Sequence, residues 1–245
     1  MSSNPNLSGH RVIVPGGTGA VGEGIVRRYL AAGAEVVVPT RTPERAAEFR
    51  GRLGPDASSH LHLVVHDYTT FAGAEDLAAQ TEKRLGGIDD VVAPIGGFWA
   101  GRRLWEVTEA DWQAAFVQLA TAHLAVLRAC LPRLRPGGAY QVIVGGSAFT
   151  PVPGSGLVSM EQAAVAMMQQ VATAELDGRQ RVFGLVLGPV RTRVTAVGDA
   201  GPDWVTADQV GAVAVAVSAA TAVAGQQLQL LSQADAGQTL ARLAS

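Results

Sequence analysis

A glycine-rich run, Pro15-Gly16-Gly17-Thr18-Gly19-Ala20-Val21-Gly22, carries the clearest chemistry in the 245-residue chain. It follows a β-branched apolar run and precedes a segment of helical length. In that setting Gly16 takes a tight turn, Gly19 lets the backbone approach a pyrophosphate, and Gly22 lets the helix pack close to the sheet. Gly17, Thr18 and Val21 complete the loop, and the free N–H groups of the helix start favour a phosphate. The second apolar run ends at Pro39-Thr40-Arg41. No carboxylate stands there to grip a ribose 2′-hydroxyl. Arg41 instead offers charge to a 2′-phosphate, so the expected cofactor is NADP(H) in preference to NAD. Asp67, after the third run, could accept from an adenine amino group or cap the next turn.

The second half of the chain offers a different set. Ser147 follows Val144-Gly145-Gly146 and could polarise a carbonyl. Glu161 and Gln162 are neighbours on a helical segment. Burial would raise the Glu161 pKa toward a useful range, and the Gln162 amide can both donate to and accept from a ribose. Gln118 and His123 share a long helix, where His123 is expected to be a packed or interface histidine. His60, His62 and His66 fall on one face of a strand, but no second ligand cluster lies near them and no metal site is expected. Phe98, Trp99, Trp105 and Trp204 suit either an apolar pocket or ordinary packing. Met160, Met167 and Met168 suit core or subunit packing.

The elements that must position these residues alternate in type. Short β-branched runs lie at 12–14, 36–38, 61–65, 91–92, 141–144, 182–187 and 228–231. Helix-length segments lie between them, at roughly 20–32, 43–53, 73–85, 109–131, 156–177 and 206–222. The pattern predicts an α/β fold, a doubly wound parallel sheet of about seven strands of the Rossmann type, in a single domain over 1–245 with residues 1–9 flexible. Thr42-Pro43 and Thr108 to Asp111 are helix openers. Gly33, Gly86-Gly87 and Gly137-Gly138 are expected helix stops.

Composition narrows the partners. Nineteen basic against twenty-one acidic residues give a formal charge of -2, so no nucleic-acid or anionic-membrane partner is expected. The single cysteine, Cys130, excludes an internal disulfide and suits a reducing cytoplasm. Met1 to Gly9 is polar, and Val210 to Leu231 reads as a buried helix followed by a strand, so the expected location is cytoplasmic. Lys83 is the only lysine, and Tyr29, Tyr68 and Tyr140 are the only tyrosines.

From about residue 9 to 235 the chain resembles a short-chain dehydrogenase/reductase. Pro15 to Gly22 is similar to the family's Thr-Gly-x3-Gly-x-Gly loop, with Pro15 for Thr and Ala20 for the middle Gly. Asp67 matches its adenine-contacting Asp. Leu104 to Leu134 resembles the long interface helix. Gly188-Pro189-Val190-Arg191-Thr192 resembles the Pro-Gly-x-Val-x-Thr segment that meets the nicotinamide, with the first two residues exchanged. The resemblance implies that Gly188, Pro189, Val190 and Thr192, with Gly96 after the fourth strand, hold the cofactor. It implies a homodimer or homotetramer built on the helices at 109–131 and 156–177.

The family's catalytic set is only partly matched. Ser147 falls at its serine. Val158 falls at the tyrosine of Tyr-x3-Lys, Gln162 at the lysine and Gln118 at the asparagine. No tyrosine follows Tyr140 and no lysine follows Lys83, so neither a register slip nor the Tyr-x6-Lys spacing of enoyl reductases restores the pair. The resemblance thus implies an NADP(H)-dependent oxidoreductase acting on a small apolar carbonyl, enone or imine, with a non-standard site formed by Ser147, Gln162, Glu161 and Gln118. The alternative is a non-redox protein of the same fold. It would be a cyclase or isomerase, or an inactive cofactor-binding partner of an active homologous subunit.

Overall fold

The computed structural model describes residues 5–196 and 198–244. Residues 1–4 of the expected flexible segment lie outside the described residues. Leu7 is buried, and its N–H donates to Ala32 O at 2.8 Å.

Seven strands form one parallel sheet in the order β3-β2-β1-β4-β5-β6-β9. They are β1 (Arg11–Ile13), β2 (Glu35–Thr40), β3 (Leu61–Val65), β4 (Ile88–Ala93), β5 (Leu134–Gly145), β6 (Arg181–Leu187) and β9 (Gln227–Leu230). A small pair, β7 (Val190–Arg191) with β8 (Val205–Thr206), stands apart. The buried β-branched runs become strands because parallel strands covered on both faces need apolar residues throughout. Helices α1 (Ala20–Ala31), α2 (Pro43–Leu53), α7 (Ala207–Ala219) and α8 (Gln233–Leu243) cover one face. Helices α3 (Phe71–Leu85), α5 (Gln118–Cys130) and α6 (Gly156–Glu175) cover the other.

The expected caps form. Thr42 Oγ1 accepts from Arg45 N at 3.3 Å, and Thr108 and Asp111 make a reciprocal capping box. Gly86 closes α3 in the left-handed region, with φ 78°.

Three boundaries differ from the sequence reading. The helix expected at 109–131 is broken into α4 (Glu109–Trp112), a π turn (Gln113–Val117) and α5. This run, Glu109–Arg133, is long and apolar enough to cross a membrane by length and composition alone, and its inner face is spent on α3, α6 and β4. Gly137 and Gly138 are not a helix stop but part of β5. A Cβ at Gly138 would lie 2.3 Å from Asp89 O, so the close pairing with β4 requires glycine there. Helix α8 has no counterpart among the expected segments. Ala236 and Thr239 are its buried residues, and Leu240 and Leu243 pack partly buried against the core, in a short segment beyond the last expected strand.

Sheet order reverses between β1 and β4, and this places a crevice at their C-terminal ends.

Candidate functional site

The glycine loop forms one wall of that crevice. Gly16 has φ +86°, and a Cβ there would lie 2.5 Å from Pro94 O in the loop after β4. A Cβ at Gly22 would lie 2.4 Å from Gly16 O. Both positions exclude a side chain by contact with backbone. Gly19 caps α1 with no side-chain bond to the first turn, so the helix start presents free N–H groups. Gly17 and Gly22 lie buried beneath the loop, and Val21 packs against the core.

A cavity of about 600 Å³ opens on this loop. Gly16, Thr18, Gly19, Arg41, Gly96 and Gln118 line it. Arg45, Tyr68, Thr70 and Thr121 also line it, and the sequence reading did not single them out. Arg45 was findable, because Thr42 at the N-cap puts residue 45 in the first turn, folded back over the end of β2. The cradle of glycines, free helix N–H groups and two arginines fits a phosphorylated dinucleotide. Asp67 is placed differently: its Oδ1 accepts from Thr69 N at 3.0 Å and Thr69 Oγ1 at 2.6 Å. These bonds hold its carboxyl below the usual range, and the exposed side chain does not line the cavity.

A second cavity of about 660 Å³ lies beyond the ends of β5 and β6. Ser147, Val158, Gly188 and Pro189 line it, with Phe98 and Phe149 as its aromatic wall. None of its described lining side chains is titratable; its polar ones are Ser147, Thr150, Ser155 and Gln229. Val190 lies in β7 and Thr192 just after it, where Thr192 N donates to Thr195 Oγ1 at 3.0 Å. Of the expected aromatics only Phe98 reaches this cavity. Trp99 Nε1 donates to Asp111 at 3.1 Å, and Trp105 is largely exposed under the Arg103 guanidinium.

Glu161 and Gln162 line neither cavity. Both are buried, at 1% and 8% exposure. Gln162 Oε1 accepts from Gly145 N, and Gln162 Nε2 donates to Glu161 Oε2 at 2.5 Å. Burial pushes the Glu161 carboxyl up to about 7, against the lowering effect of the Gln162 bond. His123 is fully buried, with Nε2 donating to Ile95 O at 2.9 Å and standing 3.7 Å from Glu161 Oε1. Burial pulls the His123 imidazole down to about 4.

The remaining histidines serve structure. His60 and His62 each bond Glu35 at 2.6 Å, while His66, one residue past β3, bonds Gly73 O at 2.8 Å. Among the described residues no group of three metal-ligating side chains exists.

An open parallel sheet with a glycine loop at its switch point defines a dinucleotide-binding α/β protein. A family model described as enoyl-(acyl carrier protein) reductase matches residues 17–244, and the chain belongs to that family within the short-chain dehydrogenase/reductase superfamily. It is 27% identical to cis-2,3-dihydrobiphenyl-2,3-diol dehydrogenase of Paraburkholderia xenovorans over 192 residues, covering 76% of this chain and 68% of the relative. It is 31% identical to dehydrogenase/reductase SDR family member 4 of Mus musculus over 202 residues, 79% of this chain and 70% of the relative. A short-chain dehydrogenase of Burkholderia cenocepacia, solved in complex with NADP, superposes with a TM-score of 0.80 at 22% identity, covering 92% of this chain and 97% of that one. These relatives support an oxidoreductase of the nicotinamide-dependent kind.

Proposed function

We propose that the chain is an NADP(H)-dependent reductase that works without the family's tyrosine–lysine acid pair. The observation that carries this reading is the pairing of the two cavities. One holds the glycine cradle with Arg41 and Arg45; the other holds Ser147 and Val158 against an apolar, aromatic wall. Bound NADPH would supply a hydride. Arg41 and Arg45 hold a 2′-phosphate, and the α1 N–H groups hold the pyrophosphate. Ser147 orients the acceptor through its hydroxyl.

Reduction of a carbonyl leaves an alkoxide that must gain a proton, and Val158 supplies none. A serine hydroxyl, far weaker as an acid than a phenol beside a cation, must take that proton from water. An iminium carbon, by contrast, accepts hydride and becomes a neutral amine with no further proton. The untitratable lining of the pocket therefore favours iminium ions, imines that arrive already protonated or N-alkylated, over ketones and enones, and the ring faces of Phe98 and Phe149 suit a cation. The same lining supports the second reading, a non-redox cyclase, isomerase or inactive partner subunit, in which the pocket acts as a shaped container.

The test is NADPH oxidation with a panel of imines, ketones and enones, using Gly19→Trp as the control. Imine-dependent oxidation above the control supports the reductase. NADPH binding without oxidation on any of the panel sinks it in favour of the non-redox reading. Val158→Tyr with Gln162→Lys should then raise ketone reduction, since a phenol would enter the pocket and a cation would lie near it.

Exposed Leu124 on α5, with Met160, Met167 and Val171 on α6, supports a homodimer or homotetramer through these helices. A cytoplasmic location is part of the same proposal.

A further inference from the structure

Glu161, Gln162 and His123 are buried and line neither cavity, but their bonds reach Gly145 in the lining of one and Ile95 in the lining of the other. At the centre is Glu161, buried on α6. On one side, Gln162 Nε2 donates to Glu161 Oε2 at 2.5 Å, and Gln162 Oε1 takes the Gly145 N–H at the end of β5. A Cβ built on Gly145 would lie 3.3 Å from Ser147 Oγ and 3.5 Å from Gln162 Oε1, so hydroxyl and amide flank the same side of that glycine. On the other side, Glu161 Oε1 stands 3.7 Å from His123 Nε2, which donates to Ile95 O in the wall of the nucleotide cavity.

Two atoms of this set, Glu161 Oε1 and His123 Nδ1, are buried with no hydrogen-bond partner. Leaving such atoms unpaired is costly, so this arrangement leaves Glu161 and His123 each incompletely satisfied. The bonds drawn here suit a carboxylate, because Glu161 only accepts. A carboxylic acid must donate. Its near acceptor is Gln162 Oε1, reached when the amide turns over. That turn takes the oxygen away from the Gly145 N–H and presents an NH2 group in its place.

The geometry therefore assigns Glu161 as a positioning residue: its protonation state sets which end of the Gln162 amide faces Gly145, and so the placement of Ser147 in the apolar cavity. The ionised state holds the strand end as described. The protonated state releases it.

The groups facing Glu161 are few. From α5 comes His123, which burial keeps neutral near neutral pH. The turn after β5 and the π turn carry no titratable residue. Tyr140 of β5, in the same apolar cluster as Val165 and Ala166, is pushed up by burial and stays neutral. The basic side chain against Glu161 is His123, at 3.7 Å. The titration of Glu161 is thus governed by burial and by Gln162, which places the transition near 7.

Proton–nitrogen correlation spectra of the intact, ligand-free protein, recorded across neutral pH, test this directly. The Gly145 amide and the Gln162 side-chain NH2 signals should move together with a midpoint near 7. In Glu161→Gln the two signals should stop titrating. In Glu161→Asp, whose carboxyl is one methylene short of Gln162, the carboxyl should still titrate while the Gly145 signal stays still. A Gly145 amide that is pH-invariant in the unaltered protein overturns the proposal, and so does one that titrates unchanged in Glu161→Gln. Should that variant fail to fold, carboxyl-labelled glutamate in the unaltered protein gives the Glu161 midpoint, and a mismatch with the Gly145 midpoint is equally fatal. No cofactor or substrate is present, so failure here is separate from failure of the reductase reading.

Discussion

The two cavities at the C-terminal edge of the sheet are built by opposite means. The cavity over the glycine loop is made of backbone: glycines that exclude a Cβ, free helix N–H groups, and Arg41 and Arg45 on either side of the α2 N-cap. The cavity beyond β5 and β6 is made of apolar side chains over two strand ends, and its polar side chains are three hydroxyls and one amide. Backbone recognition depends on local conformation and is written in short motifs. Side-chain recognition depends on which distant segments meet. The first region thus keeps its family pattern while the second is free to change its chemistry without disturbing the fold.

The sharpest way to separate the two regions is Gly16→Val. Its Cβ would lie 2.5 Å from Pro94 O at a φ of +86°, where an L side chain is already strained. Strain and clash together amount to roughly 3–4 kcal/mol, which predicts a loss of NADPH affinity of more than about 100-fold. Binding of an apolar dye in the other cavity should change by no more than about 2-fold, since neither Gly16 nor Pro94 lines it. Fluorescence titration of both ligands, with circular dichroism to confirm folding, checks the pair. Equal loss of both would show that the cavities are one cooperative unit.

The wall between them offers a second separation, in stability. Glu161 has its folded pKa raised from 4.5 to about 7, so it binds its proton more tightly when folded. It favours the folded state below 4.5, and that contribution is lost as pH rises to about 7. His123 has its folded pKa lowered from 6.5 to about 4, so its contribution is present above 6.5 and lost as pH falls to about 4. Each swing is on the order of 3 kcal/mol, and over the shared window the two oppose each other. The unaltered protein should show a nearly flat melting temperature there. Glu161→Gln leaves His123 alone, so its melting temperature should fall on acidification. His123→Leu leaves Glu161 alone, so its melting temperature should fall as the pH is raised. Thermal melts across the window decide the matter, and parallel slopes in the two variants would contradict it.

The same contrast explains what was legible in the sequence. Thr42, Thr108 and the Gly16–Gly22 spacing act over a few residues, so caps, strands and phosphate loop could be placed without a structure. Asp67 was ambiguous for the same reason. Its carboxylate has a local partner, Thr69, and a local bond is available whatever lies across the crevice. The meeting of Glu161 with His123 was not legible, because it depends on how α5 crosses α6 over the sheet. The sequence left the burial of Glu161 conditional, and it carried no signal for the engagement of Gln162 with Gly145. Read alone, Gln162 looked available to a ribose; in the fold both ends of its amide are engaged by the protein. Gly138 misled because a glycine pair marks a helix stop as readily as a strand in close contact with its neighbour.

Cofactor choice sharpens the comparison on one side only. Arg41 and Arg45 are both exposed at the cavity mouth, and neither forms an ion pair among the described residues. Their guanidinium groups are thus available to a 2′-phosphate, which NADH lacks. A charge-assisted bond of this kind contributes about 1.5–2 kcal/mol, so Arg41→Ala should weaken NADPH by about 10- to 30-fold and leave NADH within about 2-fold. Titration of both nucleotides against the variant and the unaltered protein measures the ratio. A matched loss for NADH would mean that Arg41 supports the loop rather than reading the phosphate.

Ionic strength gives the gentlest probe of the difference, and it needs no mutation. The arginines sit in solvent, where charges are screened over about 8–10 Å at physiological salt and over about 3 Å at 1 M. Raising salt from about 0.1 M to about 1 M should therefore cost NADPH roughly 1 kcal/mol, near 5-fold in affinity. NADH should lose less, because its remaining phosphates rest on backbone N–H groups inside the loop. The apolar cavity should respond in the opposite sense, since salting out strengthens burial of apolar surface. A neutral aromatic ligand should bind as tightly or slightly more tightly at high salt. If both cavities weakened together, the Phe98 side would contain a charge contribution that its lining does not show. If neither responded, Arg41 and Arg45 would be ruled out as the phosphate readers, and the preference for NADP would have to rest on the α1 N–H groups, which both nucleotides share.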